Sequence, residues 1–227
     1  MKEDTIKIED SDSFQTIFTK YGAMALDNQE SLSKLIGENE GKLDIEKGVL
    51  SFNDDLDFNV NILGTLSLES NKWHWAWDNE KVGFSEKLIK EAEEIKEIGE
   101  KYNIEHFTTN VFDADLLEGH IIAMTVSGIM DDSAYYAVDY DEIMIFVTIK
   151  SEKIPHDDTI ERFVDVYNRF QKEFDVKARP AFEGYTKLRG YHYKEKEEFS
   201  VAKMGESRVI VGFTERGNVS HIQTLLE

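Results

Sequence analysis

From Leu56 to Glu69 the chain alternates. Leu56, Phe58, Val60, Ile62, Gly64, Leu66 and Leu68 share one parity, and Asp57, Asn59, Asn61, Thr65, Ser67 and Glu69 the other, with Leu63 the single apolar intruder. A period of two belongs to a strand with one face buried. The pattern therefore predicts one long strand. Ser70-Asn71-Lys72 supplies a turn, after which Trp73, Trp75 and Trp77 repeat the period along a return strand reaching Asn79. All three tryptophans of the chain then share one strand face. Each buried indole contributes about 4–6 kcal/mol by area, an upper bound, so a core face is the first expectation. The second is a groove in which Trp73, Trp75 and Trp77 receive a flat ligand or a partner, since tryptophan is favoured at both.

The flanking segments change period. Residues 13–36 carry Phe14, Ile17, Phe18, Tyr21, Ala25, Leu32, Leu35 and Ile36 at helical spacing, started by Ser11 or Ser13 and ended by Gly37. Short strands follow at 43–45 and 49–52, and Asn53-Asp54-Asp55 turns the chain into the long strand. A second helix begins at Ser85 and runs through Leu88, Ala92, Ile95, Gly99 and Tyr102; a third, 113–130, is capped by Asp113 and is apolar all round at Ile121-Ile122-Ala123-Met124, hence buried. Strand returns over 135–149, where 143–149 is apolar on both parities, as in a central strand. Asp158 and Glu161 open a helix over 158–174 with Phe163, Tyr167 and Phe170 on its stripe. After Arg179-Pro180 come strands at 185–193, 199–204, 208–214 and 219–225, the last two joined at Glu215-Arg216-Gly217-Asn218. The class is α+β: an antiparallel meander sheet packed with several helices, followed by a small C-terminal antiparallel sheet. Residues 1–175 form an acidic α+β domain, and residues 176–227 a β-rich segment packed on the 158–174 helix.

One stretch carries a resemblance. Gly48-Val49-Leu50-Ser51-Phe52, then Leu63-Gly64-Thr65-Leu66-Ser67, then Trp73-x-Trp75-Ala76-Trp77-x-Asn79 is similar to an uncharacterised bacterial domain family. In that family a strand ending Trp-Ala-Trp-Ala-Asn follows a G-x-L-x-F segment and leads into a helix. The likeness spans about residues 10–150 and departs at Asp78, where alanine is expected. It implies a fold and no activity.

Charge narrows the partners. The net charge is −20, and residues 176–227 hold nine Lys/Arg against seven Asp/Glu, so residues 1–175 carry −22. Such a field repels nucleic acid and anionic membranes and speeds encounter with a basic protein. Direct nucleic-acid binding is therefore not expected, nor is membrane association, because no long uncharged apolar run is present. Met1-Lys2-Glu3-Asp4 lacks the apolar centre of a signal peptide, so the expected location is cytoplasmic. The absence of cysteine removes disulfides, thiol catalysis and cysteine-based zinc sites.

The search for chemistry is mostly negative. No phosphate loop, dinucleotide fingerprint, zincin motif or complete nucleophile elbow occurs, so no cofactor and no catalytic residue is assigned. The six histidines lack metal-ligand spacing, and the acidic runs at Asp54-Asp55-x-Asp57, Asp113-x-Asp115, Asp131-Asp132 and Asp139-x-Asp141 do not fit a calcium loop. Lys187, Arg189, Tyr191 and Tyr193 share one face of the predicted 185–193 strand, with Arg208 a possible neighbour, in a basic-aromatic pattern that suits an anion or a stacked base. An exposed sheet face salt-bridged to the acidic domain is the alternative. Three functions remain open. The first is a non-enzymatic acidic protein that binds a basic partner, as an inhibitor or immunity-type protein does; the others are a ligand-binding or sensory domain using the Trp face, and a metal-assisted enzyme using Asp and His groups.

Overall fold

The computed structural model describes residues 6–53, 55–78 and 83–226. The architecture is α+β, with two antiparallel sheets. The chain divides into two compact units, Met1–Asp27 with His156–Glu227, and Asn28–Pro155. A boundary at 175/176 thus falls inside one unit. Helix α1, Phe14–Ile36, contributes its first half to one unit and its second half to the other.

In the Asn28–Pro155 unit, seven strands form one sheet: β1 (Lys42–Asp44), β2 (Val49–Phe52), β3 (Leu56–Ser67), β4 (Lys72–Trp75), β5 (Val111–Asp113), β6 (Ala134–Tyr140) and β7 (Ile143–Ile149). The long alternating stretch is indeed a strand, β3, and pairs with β2, β4 and β7. Its single parity does not make a single face. The register against β7 shifts between Ile62 and Gly64, so Leu63 is a bulge. Before it, Val60 and Ile62 pair with Ile149 and Val147; after it, Gly64 and Leu66 pair with Phe146 and Met144, which stand on the opposite side of β7. One slipped residue exchanges the two faces.

Each face then acquires its own layer. On one, the β1–β2 arm curls back, so that Phe52 meets Phe58 and Tyr136 edge-on, and Tyr140 Oη donates to the Leu43 carbonyl at 2.9 Å. On the other lie three helices, α2 (Lys90–Tyr102), α3 (Glu105–Thr108) and α4 (Leu116–Ile129). A Cβ on Gly119 of α4 would stand 2.9 Å from Phe146 and 3.3 Å from Leu66, which shows how closely α4 approaches this face. As expected, α4 is buried through most of its length. Its cap is Asp115 rather than Asp113: Asp115 and Glu118 form a reciprocal capping box, and Asp113 belongs to β5. Ser85 precedes a 3₁₀ turn, Glu86–Leu88, before α2 begins. The expected 135–149 strand is a hairpin, with Asp141 at φ 58° in its turn. Asp139 and Asp141 therefore do not project together from one strand. Asp54 and Asn79, named in the sequence expectations, lie outside the described residues.

The other unit packs the first half of α1, α5 (Ile160–Glu173), α6 (Ala178–Leu188) and a sheet ordered β11 (Val219–Leu225), β10 (Ser207–Phe213), β9 (Phe199–Met204), β8 (His192–Glu195). Helix α5 starts at the Thr159 cap, not Asp158. Helix α6 spans 178–188, so residues 185–188 are helix where the 185–193 strand was expected, because Ala178, Ala181, Phe182, Tyr185 and Thr186 are buried at helical spacing. Pro180 is tolerated because it occupies the first turn, where no intrahelical donor is required. Phe163 stacks on Tyr185 at 4.6 Å, Tyr167 meets Phe182, and Phe18 meets Phe170. Helix α6 crosses α1 almost backbone to backbone: a Cβ on Gly184 would fall 2.0 Å from the Lys20 carbonyl oxygen.

Gly184→Ala is accordingly predicted to destabilise. In an exposed helix the change gains about 1 kcal/mol of propensity, but here the helices must separate, and the net loss is about 2–3 kcal/mol. Denaturant unfolding of the variant measures it.

Candidate functional site

The tryptophans separate into two groups. Trp73 and Trp75 lie on the helix-covered face, both 0% exposed. Trp73 lies across Gly64, where a Cβ would come within 2.8 Å of its ring, and packs on Phe146 at 5.2 Å. The Trp75 indole nitrogen donates to the His106 carbonyl at 3.0 Å, and its ring meets Phe107 edge-on. Trp77 is not on the strand, because β4 ends at Trp75 and Ala76–Asp78 is a 3₁₀ turn. Its ring stacks on Trp75 at 6.5 Å, with the Lys96 ammonium 4.4 Å from its centroid. Two of the three indoles thus have no surface to offer a ligand.

The basic-aromatic residues are likewise split, because α6 ends only at Leu188 and Gly190 turns the chain at φ 74°. Lys187 bridges Glu183 at 2.7 Å and sits 5.6 Å from the Tyr193 ring. The Arg189 side chain, 3% exposed, points inward with Tyr191 beside it. There, Asp27 receives Arg162 Nε at 2.7 Å, Arg189 Nη1 at 2.8 Å and Tyr185 Oη at 2.7 Å. Arg189 also reaches the exposed Asp158 at 3.1 Å. Two guanidiniums on one buried carboxylate hold this unit together, since removal of one partner from such a pair costs about 3–5 kcal/mol.

Sequence reasoning met Asp132 only as part of the Asp131-Asp132 run and did not single out Glu91. Glu91 of α2 projects onto the helix-covered face, where Asn61 Nδ2 donates to it at 3.0 Å and the Thr148 hydroxyl donates to its other oxygen. Facing it is Asp132, 2% exposed, neither of whose carboxyl oxygens receives a hydrogen bond from the described residues. A hydrogen bond across the two carboxyls requires that one of them carry a proton. Burial, then the Glu91 charge, pushes Asp132 up to about 9, and burial raises Glu91 as well. Burial and the neighbouring Glu91 charge thus favour the protonated form of Asp132 at neutral pH. Asp132 is fixed in place through its backbone, where its carbonyl accepts from Asn28 Nδ2 at 2.8 Å. His120 stands on the same face, its Nδ1 3.0 Å from Tyr135 Oη, and burial lowers its pKa. The signal for Glu91 was present: it lies four residues before the buried Ile95 and beside the buried Ala92, on the apolar side of α2.

Among the described residues, no group of three or more His, Cys, Asp or Glu is placed to hold a metal ion, and no helix is long and apolar enough to cross a membrane. Two concavities lie in the unit that contains α5 and α6. One, about 540 Å³, separates α5 from β11 and is lined by Asn168, Gln171 and His221; the other, about 410 Å³, lies on the outer face of β8, β9 and β10.

The profile of a family of unknown function matches residues 15–152. The chain belongs to that family, DUF6882. The match agrees with the span over which the sequence resemblance runs. It takes in Trp73, Trp75, Trp77, Glu91, Asp132 and the whole seven-stranded sheet, whereas α5, α6 and the four-stranded sheet lie beyond the DUF6882 match. No curated protein and no solved structure matches the chain.

The Asp132 proton sets a pH dependence. Asp132 is protonated in the folded chain and, once unfolded, ionises near its ordinary value, so its stabilisation is complete below about pH 4 and is lost as pH rises through about 9. The slope from one such proton is at most about 1.4 kcal/mol per pH unit. In Asp132→Asn the amide replaces the acid as donor, and this component should vanish. Denaturant titrations of both proteins from about pH 5 to 9 compare the slopes; parallel curves would contradict a protonated Asp132.

Proposed function

We propose that the Asn28–Pro155 unit is a non-enzymatic acidic binding module whose partner is a basic protein, as for an inhibitor or immunity-type protein. Charge supports the reading: residues 28–155 hold 11 Lys/Arg against 27 Asp/Glu, a net −16, and only −4 falls on the rest of the chain. The observation that carries it is the end of the β6–β7 hairpin. Tyr140 and Ile143 face each other across the ladder, 44% and 43% exposed. Leu68, also exposed, lies at the same end of the sheet, where its backbone N–H donates to the Glu142 carbonyl. Exposed Asp139, Asp141, Glu142 and Glu69 lie at the same end of the sheet as Tyr140 and Ile143. An aromatic and aliphatic centre within a charged rim is the usual anatomy of a protein-binding hot spot. A carboxylate rim selects a basic partner and accelerates its approach.

Affinity capture with the full chain at about 50 mM and about 0.5 M salt tests the reading. The expected result is a stoichiometric basic protein held at low salt, released at high salt, and lost with Tyr140→Ala/Ile143→Ala and with Asp139→Asn/Glu142→Gln. Capture of an acidic protein, or of a basic one that both variants retain equally, overturns it.

A further inference from the structure

The second unit carries a surface of opposite sign. The register of the four-stranded sheet aligns His192, Lys203 and Arg208 in one row and Lys194, Val201 and Ile210 in the next, on the side away from the buried Ala202, Val209 and Val211. Lys196 and Phe199 continue the same face, and together they line the 410 Å³ concavity. No Asp or Glu occupies an outward position of the four strands in this register. Elsewhere in the unit Lys20, Arg162, Arg169, Arg179, Lys187 and Arg189 each meet a carboxylate, whereas Lys7, Lys172, Lys177 and Arg216 are scattered and meet none among the described residues. Among the described residues, Lys194, Lys196, Lys203 and Arg208 meet none. Lysines on an edge strand such as β8 protect against strand addition, which accounts for Lys194. That reason does not extend to Lys203 and Arg208, which lie on β9 and β10 inside the sheet. Beneath the cations, Phe199, 37% exposed, and the half-buried Val201 and Ile210 form an apolar floor.

We propose that this face docks a short acidic segment of a partner protein, with carboxylates on Lys194, Lys203 and Arg208 and an apolar side chain on Phe199 and Val201. Charge complementarity identifies the occupant, and screening limits its length. At physiological salt, charges more than about 8 Å apart barely interact. A short segment therefore responds to this local patch, whereas an extended nucleic-acid strand also experiences the field of a chain at −20. The floor points the same way: it is mostly aliphatic with one aromatic ring, whereas binding of single strands relies on successive stacking rings. The site is independent of the acidic module above and would give the chain a second partner.

The test is fluorescence anisotropy on the full chain with two probes, a labelled peptide of alternating Glu and Phe and a labelled oligothymidylate of equal charge. The peptide is expected to bind, to weaken with added salt, and to lose at least about tenfold in affinity with Lys203→Glu/Arg208→Glu. Phe199→Ala should weaken it several-fold without changing the salt dependence, and Lys172→Glu should leave it unchanged. Milder Lys203→Gln/Arg208→Gln substitutions, checked by circular dichroism, repeat the test if the charge reversal perturbs folding. Tighter binding of the oligothymidylate than of the peptide, no binding of the peptide, or equal loss with Lys172→Glu overturns the proposal.

Discussion

A strand covered on both sides must give each side its own apolar set, and in β3 a single bulge at Leu63 makes this possible. Without the slip, the even-numbered residues from Phe58 to Leu66 would all face one layer. With it, Val60 and Ile62 lie under the β1–β2 arm, while Gly64 and Leu66 join Trp73, Trp75 and Phe146 beneath the helices. The exchange also turns Asn61 toward the helices, where it donates to Glu91. The core aromatics and the Glu91–Asp132 pair thus depend on the same extra residue.

Much of this architecture was legible because period is a local property. Helix α1, the long β3, the two-sided β7 and the hairpin turn at Gly217 follow from spacing and turn chemistry alone. Errors arose where two periods coincided. Tyr185, Lys187, Arg189, Tyr191 and Tyr193 alternate like a strand, yet Phe182, Tyr185 and Thr186 also mark a helical stripe, and packing on Phe163 and Tyr167 decides for the helix. Trp77 keeps the spacing of Trp73 and Trp75, but the strand ends before it. The carboxyl pair was hidden for another reason. Glu91 and Asp132 are two acids among 46, and only the tertiary arrangement brings them together away from water. Pairing across the chain leaves no trace in local pattern.

The division of charge follows the division of structure. The acidity is concentrated in the unit that the family match covers almost completely, while the cationic sheet face belongs to the segment beyond it. The two units also close their cores differently. One uses a carboxylate shared by two guanidiniums, which completes a set of neighbours by charge; the other buries Asp132 beside Glu91, where burial and the neighbouring charge favour its neutral form.

Asp27 and Asn28 are consecutive on α1, yet Asp27 is bound by Arg162, Tyr185 and Arg189, and Asn28 by the Asp132 carbonyl. During synthesis these partners emerge in order. Asn28 can be satisfied once Asp132 has left the ribosome, but Arg162 lies 135 residues after Asp27. At about 5–20 residues per second, the first half of α1 waits on the order of ten seconds for the segment that will cover Ile17, Phe18 and Tyr21. The first half of this helix, although made early, is therefore among the last parts of the chain to be buried.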